Sequence, residues 1–151
     1  MESYTEMKDN FIQSAAAVPE EKYGFKLTPG QFSFAGWLTH SVGAIYFYCY
    51  RFGGVPAPPR ERLSRMKSLT AKSDLEQLVK DSFEYCDTAL KGMNDERALA
   101  PFSLNGKEVV PVTHMIGMVT GLNEHYGNIV GYLRTLGITP PSTLREQAQK
   151  K

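Results

Sequence analysis

The stretch AIYFYCYRF, residues 44–52, decides the fold class because it can be interpreted either as a β-strand or as part of a helix. Aromatic residues favour strands. The stretch lacks the strict alternation of apolar and polar residues that a half-buried strand shows, and it continues without a break from AGWLTHSVG, residues 35–43. We therefore predict one helix from about residue 31 to residue 52, the second helix of the chain. It holds eight of the seventeen Phe, Tyr and Trp residues, which predicts burial on more than one side.

The first and third helices are predicted from apolar spacing and from their ends. Apolar residues recur at steps of three and four over residues 4–18, and Pro19 ends this first helix. The third helix is expected to begin with a capping box, in which the side chains of Ser73 and Glu76 each bond a free backbone N–H. Its apolar stripe continues to about residue 91.

The fourth helix is predicted from about Pro111 or Val112 to about Leu136. Proline is tolerated in a first helical turn, since its missing N–H would be unpaired there anyway. Gly137 can cap the far end by adopting a left-handed conformation.

The connections complete the predicted fold, an all-α four-helix bundle. The proline-rich GGVPAPPRERLSR, residues 53–65, suits a long crossover between helices that are not antiparallel neighbours. Asn-Gly inside FSLNGKEVV, residues 102–110, predicts a small β-hairpin between the third and fourth helices. We assign the bundle to residues 1–140. Residues 141–151 form a tail with few apolar positions, and we expect this tail to fray.

The composition is that of a soluble globular domain and argues against several partners. Hydrophobic residues make up 42% of the chain, and 17 basic residues nearly balance 16 acidic ones, so nucleic acid is not expected as a partner. No apolar run approaches the length that spans a membrane, and the N-terminal residues do not resemble a signal peptide. A cytoplasmic location is predicted, with an exported form that has lost a leader as the alternative.

The two cysteines, Cys49 and Cys86, are not spaced as a CxxC pair. The favoured interpretation is two small buried side chains without a bond between them. The alternatives are a reactive thiol and a disulfide formed across the second and third helices, and the disulfide would indicate an oxidising compartment.

The three histidines offer at most one two-imidazole metal site. His114 and His125 lie about 16 Å apart along one helix and cannot share an ion. The position one turn before His125, where a second ligand would be most useful, is Gly121. That leaves His125 with His40 of the second helix, because Glu124 points about 100° away. Two imidazoles hold a divalent metal weakly unless carboxylates or waters complete the shell. The alternative is that each histidine is an ordinary hydrogen-bonded residue.

Glycines are frequent on the fourth helix, and each costs about 1 kcal/mol of helix stability relative to alanine. For most of them we favour close approach of a neighbouring helix as the compensation. For Gly121 the alternative is that the missing side chain leaves space for a ligand. These glycines are Gly117, Gly121, Gly127 and Gly131.

Three stretches resemble the DinB-like superfamily: residues 17–54, KSDLEQLVKDSFEYCDTAL (72–90) and NEHYGNIVGYLRTLGITPPS (123–142). The resemblance implies a four-helix bundle with a long crossover, often dimeric. It also implies a divalent metal held by one histidine on the second helix and an H-x-x-x-H pair on the last. His40 and His125 match two of these ligands, and the third family position is Gly121.

Two hypotheses of function follow from the resemblance. The first is a metal-dependent hydrolase or a transferase that uses a small thiol, with Zn²⁺ or Ni²⁺ on His40 and His125; no catalytic residue is assigned. The second is a metal-free module that binds a small ligand, or is purely structural, and has lost catalysis. We also predict a homodimer, because the second helix carries more aromatic surface than one core absorbs. The alternative is that these aromatic residues wrap the core and face the crossover.

Overall fold

The computed structural model describes residues 2–150, and it is mostly helical with one small two-stranded sheet. The prediction of an all-α class is therefore confirmed, since the sheet adds only six residues. Two single turns of 3-10 helix, Glu20–Lys22 and Met66–Ser68, lie in the connections. In chain order the other elements are α1 (Glu2–Ala17), α2 (Phe34–Tyr50), α3 (Arg60–Arg65), α4 (Lys72–Leu90), α5 (Asp95–Leu99), β1 (Phe102–Leu104), β2 (Lys107–Val109), α6 (Pro111–Thr135) and α7 (Pro141–Gln149).

The stretch at 44–52 is helical as predicted up to Tyr50, where α2 ends two residues before the predicted end. The helix begins at Phe34, three residues later than the predicted start at about residue 31. Ser33 explains the difference, because its side chain accepts a hydrogen bond from the Gly36 N–H at 3.1 Å and caps the first turn.

The four long helices enclose one core. Helices α2 and α4 are in contact, as are α2 and α6, α1 and α4, and α1 and α6. Tyr4 near the start of α1 donates to Asp87 near the end of α4, whereas Lys72 at the start of α4 donates to carbonyls at residues 16 and 18. Helices α1 and α4 are therefore antiparallel. The core consists of their inward apolar side chains, among which Phe11, Phe34, Leu38, Phe83, Ile129 and Tyr132 are almost fully buried.

Helix α6 ends as predicted. Gly137 has φ +74°, and its N–H donates to Arg134 O at 3.0 Å, while the Ile138 N–H donates to Leu133 O at 2.8 Å. These are the bonds of a Schellman cap, which needs a residue in the left-handed region.

The predicted hairpin is confirmed as well. Strand β1 pairs with β2 in antiparallel register, with Phe102 opposite Val109. Asn105 and Gly106 form the turn with φ values of 53° and 76°, so both have the positive φ that a two-residue type I′ turn requires.

The predicted capping box of α4 is wrong. The helix begins at Lys72, and its N-cap is Ala71, which makes no side-chain bond to the first turn. Ser73 is thus inside the helix and cannot cap it. The Glu76 carboxylate instead lies 3.6 Å from the ammonium of Lys72, which precedes it by one turn on the same face of the helix.

The tail that was expected to fray is helical from Pro141 to Gln149. This helix has few apolar side chains, and polar contacts attach it to the bundle instead. Arg145 Nη2 donates to Asn10 Oδ1 of α1 at 2.6 Å, and the Ser142 N–H donates to the Tyr126 hydroxyl of α6 at 3.2 Å.

The favoured interpretation of the cysteines as unpaired is also wrong, although their burial is as predicted. Cys49 of α2 and Cys86 of α4 form a disulfide, with Cα atoms 5.2 Å apart and no exposed surface on either residue. Met118 of α6 places its sulfur 3.5 and 3.7 Å from the two cysteine sulfurs. The bond therefore fixes α2 to α4 across the connection that contains α3.

Within residues 2–150, the helices are all too short or too polar to cross a membrane.

Candidate metal and ligand site

The structure brings two of the three histidines together. His40 of α2 and His125 of α6 face each other with ring centroids 4.6 Å apart and ring planes at 49°. His114, the third, instead lies beside Tyr48, with ring centroids 6.4 Å apart. Because His40 meets His125 while Tyr48 meets His114, α2 and α6 are antiparallel, and this direction is what pairs the two imidazoles.

His125 is buried, and one of its nitrogens is unsatisfied. Only 9% of the residue is exposed, and its Nδ1 has no hydrogen-bond partner among the described residues. Burial lowers the pKa of His125, the neighbouring His40 lowers it further, and Glu124 acts weakly in the opposite direction. The neutral imidazole, which has a lone pair free for a metal or a hydrogen-bond donor, is therefore favoured.

Aromatic rings fix the orientation of both imidazoles. Phe32 lies 5.2 Å and Trp37 lies 5.8 Å from the His40 ring, and Trp37 lies 5.7 Å from the His125 ring. The Nε1 of Trp37 is buried and has no partner among the described residues. Neither this nitrogen nor Nδ1 of His125 makes the hydrogen bond that an ordinary buried polar residue would make within the described part of the chain.

The two imidazoles open into a cleft of about 810 Å³ between α2, α6 and the turn at Met66–Ser68. Phe32 and Phe47 are half exposed there, at 50% and 49%. The size is within the range that small organic ligands occupy. The remaining lining residues are Gly36, Thr39, Gly43, Ala44, Tyr48, Met66, Lys67, Gly121 and Glu124.

The glycines of α6 differ in what surrounds them. A Cβ at Gly117 would lie 2.9 Å from Tyr48 Cε1, which is too close, so this glycine serves close packing as predicted. A Cβ at Gly121 would lie 3.8 Å from both Cε2 and Oη of Tyr48, an ordinary contact at the edge of the cleft. Gly127 has nothing within 4 Å of its Cβ position, so close approach does not explain it.

Tyr48 is the site residue that sequence reasoning missed. It follows His40 by eight residues, which places it about 80° from His40 around α2 and two turns further along. Side chains on a helix lean toward its N-terminus, so the Tyr48 ring is directed back toward His40. This spacing was a usable signal, but tyrosine is a common core residue and eight of them occur in the chain.

The histidines of the cleft supply two metal ligands. Among residues 2–150, no group of three or more His, Cys, Asp or Glu side chains is arranged to hold a metal ion. His40 and His125 nevertheless fit a divalent ion as far as they go, because a 4.6 Å ring separation lets both imidazoles reach one ion at ordinary Zn–N lengths. A complete shell therefore needs donors other than these two imidazoles.

Comparisons with known proteins agree on the family. The model of the DinB superfamily matches residues 3–128. Among solved structures, a DinB-like protein from Bacillus subtilis has 17% sequence identity and a TM-score of 0.70, with 91% of each chain covered. A DinB-like protein from Bacillus cereus ATCC 10987 has 15% identity and a TM-score of 0.67, with 93% of this chain and 92% of that one covered. Among the curated proteins, none matches the chain.

Proposed function

Because this chain belongs to the DinB superfamily, we propose that it holds a divalent metal ion between His40 and His125 and that a small bound ligand completes the metal's coordination shell. The observation that carries the proposal is the pair of facing imidazoles, 4.6 Å apart, with a buried and unpaired Nδ1 on His125. Zn²⁺ and Ni²⁺ are the ions proposed, since imidazole suits both.

We also propose that the four long helices form the four-helix bundle implied by the family. The antiparallel pairs α1–α4 and α2–α6 support this arrangement. The connection from residue 51 to residue 71 would then be the crossover, which lets α2 and α4 run in the same direction.

A ligand that carries its own metal donor suits this site better than water alone. The two imidazoles leave about half of a tetrahedral shell open, and the cleft gives a small molecule access to that half. A low-molecular-weight thiol is the class proposed, because thiolate is a good ligand for zinc. When bound there, the cation would lower the pKa of such a thiol and make the thiolate available at neutral pH.

The protein's own groups would bind, orient and shield the ligand. His40 and His125 supply the nitrogens, while Phe32 packs against the His40 ring and Trp37 packs against both rings. Phe47, Tyr48 and Met66 offer an apolar wall for the body of the ligand. The reaction classes proposed are thiol-dependent transfer and metal-dependent hydrolysis.

A second candidate function is metal-free binding of a small organic ligand in the same cleft. The observation that favours it is the glycine at 121, where the family places its third imidazole. On this hypothesis the two imidazoles and the aromatic wall bind the ligand directly, and chelators do not change its affinity.

The first test is equilibrium dialysis of untagged protein against Zn²⁺. We expect about one equivalent of Zn²⁺ to bind. His40→Ala and His125→Ala should each weaken binding at least tenfold, because removing a ligand should cost no less than removing a residue that hydrogen-bonds to a ligand, which costs about tenfold or more. His114→Ala is the matched control and should bind as the wild type does. Less than a tenth of an equivalent at saturation, or equal affinities in all four proteins, would exclude the metal centre in favour of the metal-free function.

We propose in addition that the chain forms a homodimer. The support is the half-exposed Phe32, just before α2, and Phe47 in its last turn, together with the resemblance to often dimeric relatives. Light scattering at micromolar concentration should give about 34 kDa, twice the 16.9 kDa of one chain. A mass of one chain at that concentration would remove the proposal.

A further inference from the structure

The phenol of Tyr48 lies where the side chain missing at residue 121 would enter the cleft. Its oxygen is 3.8 Å from the Cβ position at Gly121 and 3.5 Å from the Cβ position at Gly117. Residue 121 is one helical turn, about 6 Å along the axis, before His125. The hydroxyl is thus beside the very position from which a third imidazole would reach the ion.

Further features support a role for this hydroxyl as a metal donor, in addition to its packing against α6. Tyr48 is half-buried and lines the same cleft as both imidazoles. In the part of the chain that the structure describes, its oxygen makes no hydrogen bond, so no protein group competes for its lone pairs. His125, which is more than nine-tenths buried, lines the same cleft and has an unpaired Nδ1.

We propose that Tyr48 supplies the third protein donor of the centre, in place of a side chain at residue 121, so that the ligand set is His40, His125 and Tyr48. This inference rests on the proposed function, since a donor needs a bound ion. On binding, the bond from the phenol oxygen to the ion forms, the O–H bond breaks, and the proton leaves to solvent. No electron transfer is involved.

The chemistry of the donor makes the site selective in a way that three imidazoles are not. Phenolate oxygen is a harder and negatively charged donor, so it neutralises one charge of the ion and favours metals that accept mixed N,O ligands, such as Cu²⁺. The charge also means that binding releases a proton and tightens as pH rises.

Tyr48→Phe isolates the donor, because it removes one oxygen and leaves the ring packed over Gly117. Tyr50→Phe is the matched control, since Tyr50 lines a different cleft. Zn²⁺ affinity should stay unchanged in Tyr50→Phe. It should fall at least tenfold in Tyr48→Phe, because loss of a ligand should cost no less than loss of a residue that hydrogen-bonds to one. With Cu²⁺, the wild type and Tyr50→Phe should show a visible phenolate-to-copper charge-transfer band that Tyr48→Phe lacks.

Proton release on Zn²⁺ binding, followed with a pH indicator, gives an independent reading. The wild type should release about one proton more per ion than Tyr48→Phe, because only the wild type ionises a phenol. Equal affinity, equal proton release and no visible band would overturn the role of Tyr48 alone, provided that His125→Ala still weakens binding. If the wild type binds neither ion, the proposed function fails and the ligand set fails with it.

Discussion

Replacing both Cys49 and Cys86 by alanine is expected to lower the free energy of unfolding by about 4 kcal/mol. The disulfide joins residues 37 positions apart, and closing a loop of that length removes roughly this much chain-entropy stabilisation from the unfolded state. Both side chains are fully buried, so the variant also loses their sulfur contacts with Met118. Urea unfolding without reductant measures the difference.

Reductant supplies the control for this experiment. Wild type that has been unfolded and reduced should refold with a stability close to that of the double variant, since neither then has the covalent bond. An unchanged urea midpoint in the double variant without reductant would contradict the pairing. The result also bears on location, because disulfides persist in oxidising compartments and are rare in the cytosol, where the sequence predicts this protein to be.

Gly121→His is expected to tighten Zn²⁺ binding on the order of 100-fold. Loss of a residue that hydrogen-bonds to a metal ligand weakens metal binding by up to about 100-fold, and gain of a ligand should change the affinity by at least as much. The substitution creates the H-x-x-x-H spacing with His125, which places two imidazoles on one face of α6. The Cβ fits, because Tyr48 Cε2 and Oη lie 3.8 Å away, an ordinary contact, and the imidazole extends from there into the open cleft beside the phenol. Zinc dialysis at fixed pH gives the affinity.

Gly121→Ala is the matched control for that gain. It adds the same Cβ without a donor, so its zinc affinity should equal that of the wild type. If Gly121→His binds no more tightly than Gly121→Ala, then the missing imidazole is not what limits the site.

Much of the fold follows from local rules that the sequence carries. The continuous run into residues 44–52 predicts α2. Asn-Gly predicts the hairpin turn because these residue types tolerate a positive φ, and Asn105 and Gly106 both have one. Gly137 predicts the end of α6 for the same reason. Each of these depends on backbone conformation within a few residues, which a short sequence window specifies.

The features that sequence reasoning missed depend on contacts between distant segments. Whether Ser73 or Ala71 caps α4 depends on where the chain arrives from the crossover, and α7 is stabilised by Asn10, which lies 135 residues from its partner Arg145. The pairing of Cys49 with Cys86 likewise requires the facing of α2 and α4. None of these contacts has a local pattern.

The candidate site was predictable only in part. Spacing along one helix excludes His114 as a partner of His125, which leaves His40, and the family resemblance implies the same residue. Their pairing at 4.6 Å follows from the antiparallel packing of α2 and α6. The position of Tyr48 over Gly117 and Gly121 depends on the distance between those helices, which the sequence does not give.

X-ray absorption of the zinc-loaded, untagged protein tests the central claim most directly, because it counts the imidazoles on the ion. The account predicts two imidazoles per zinc, with the other scatterers being oxygen or, when a thiol is present, sulfur. His125→Ala should lower the count to one or abolish binding. A spectrum with no imidazole, or one that His125→Ala leaves unchanged, would contradict a metal centre on His40 and His125.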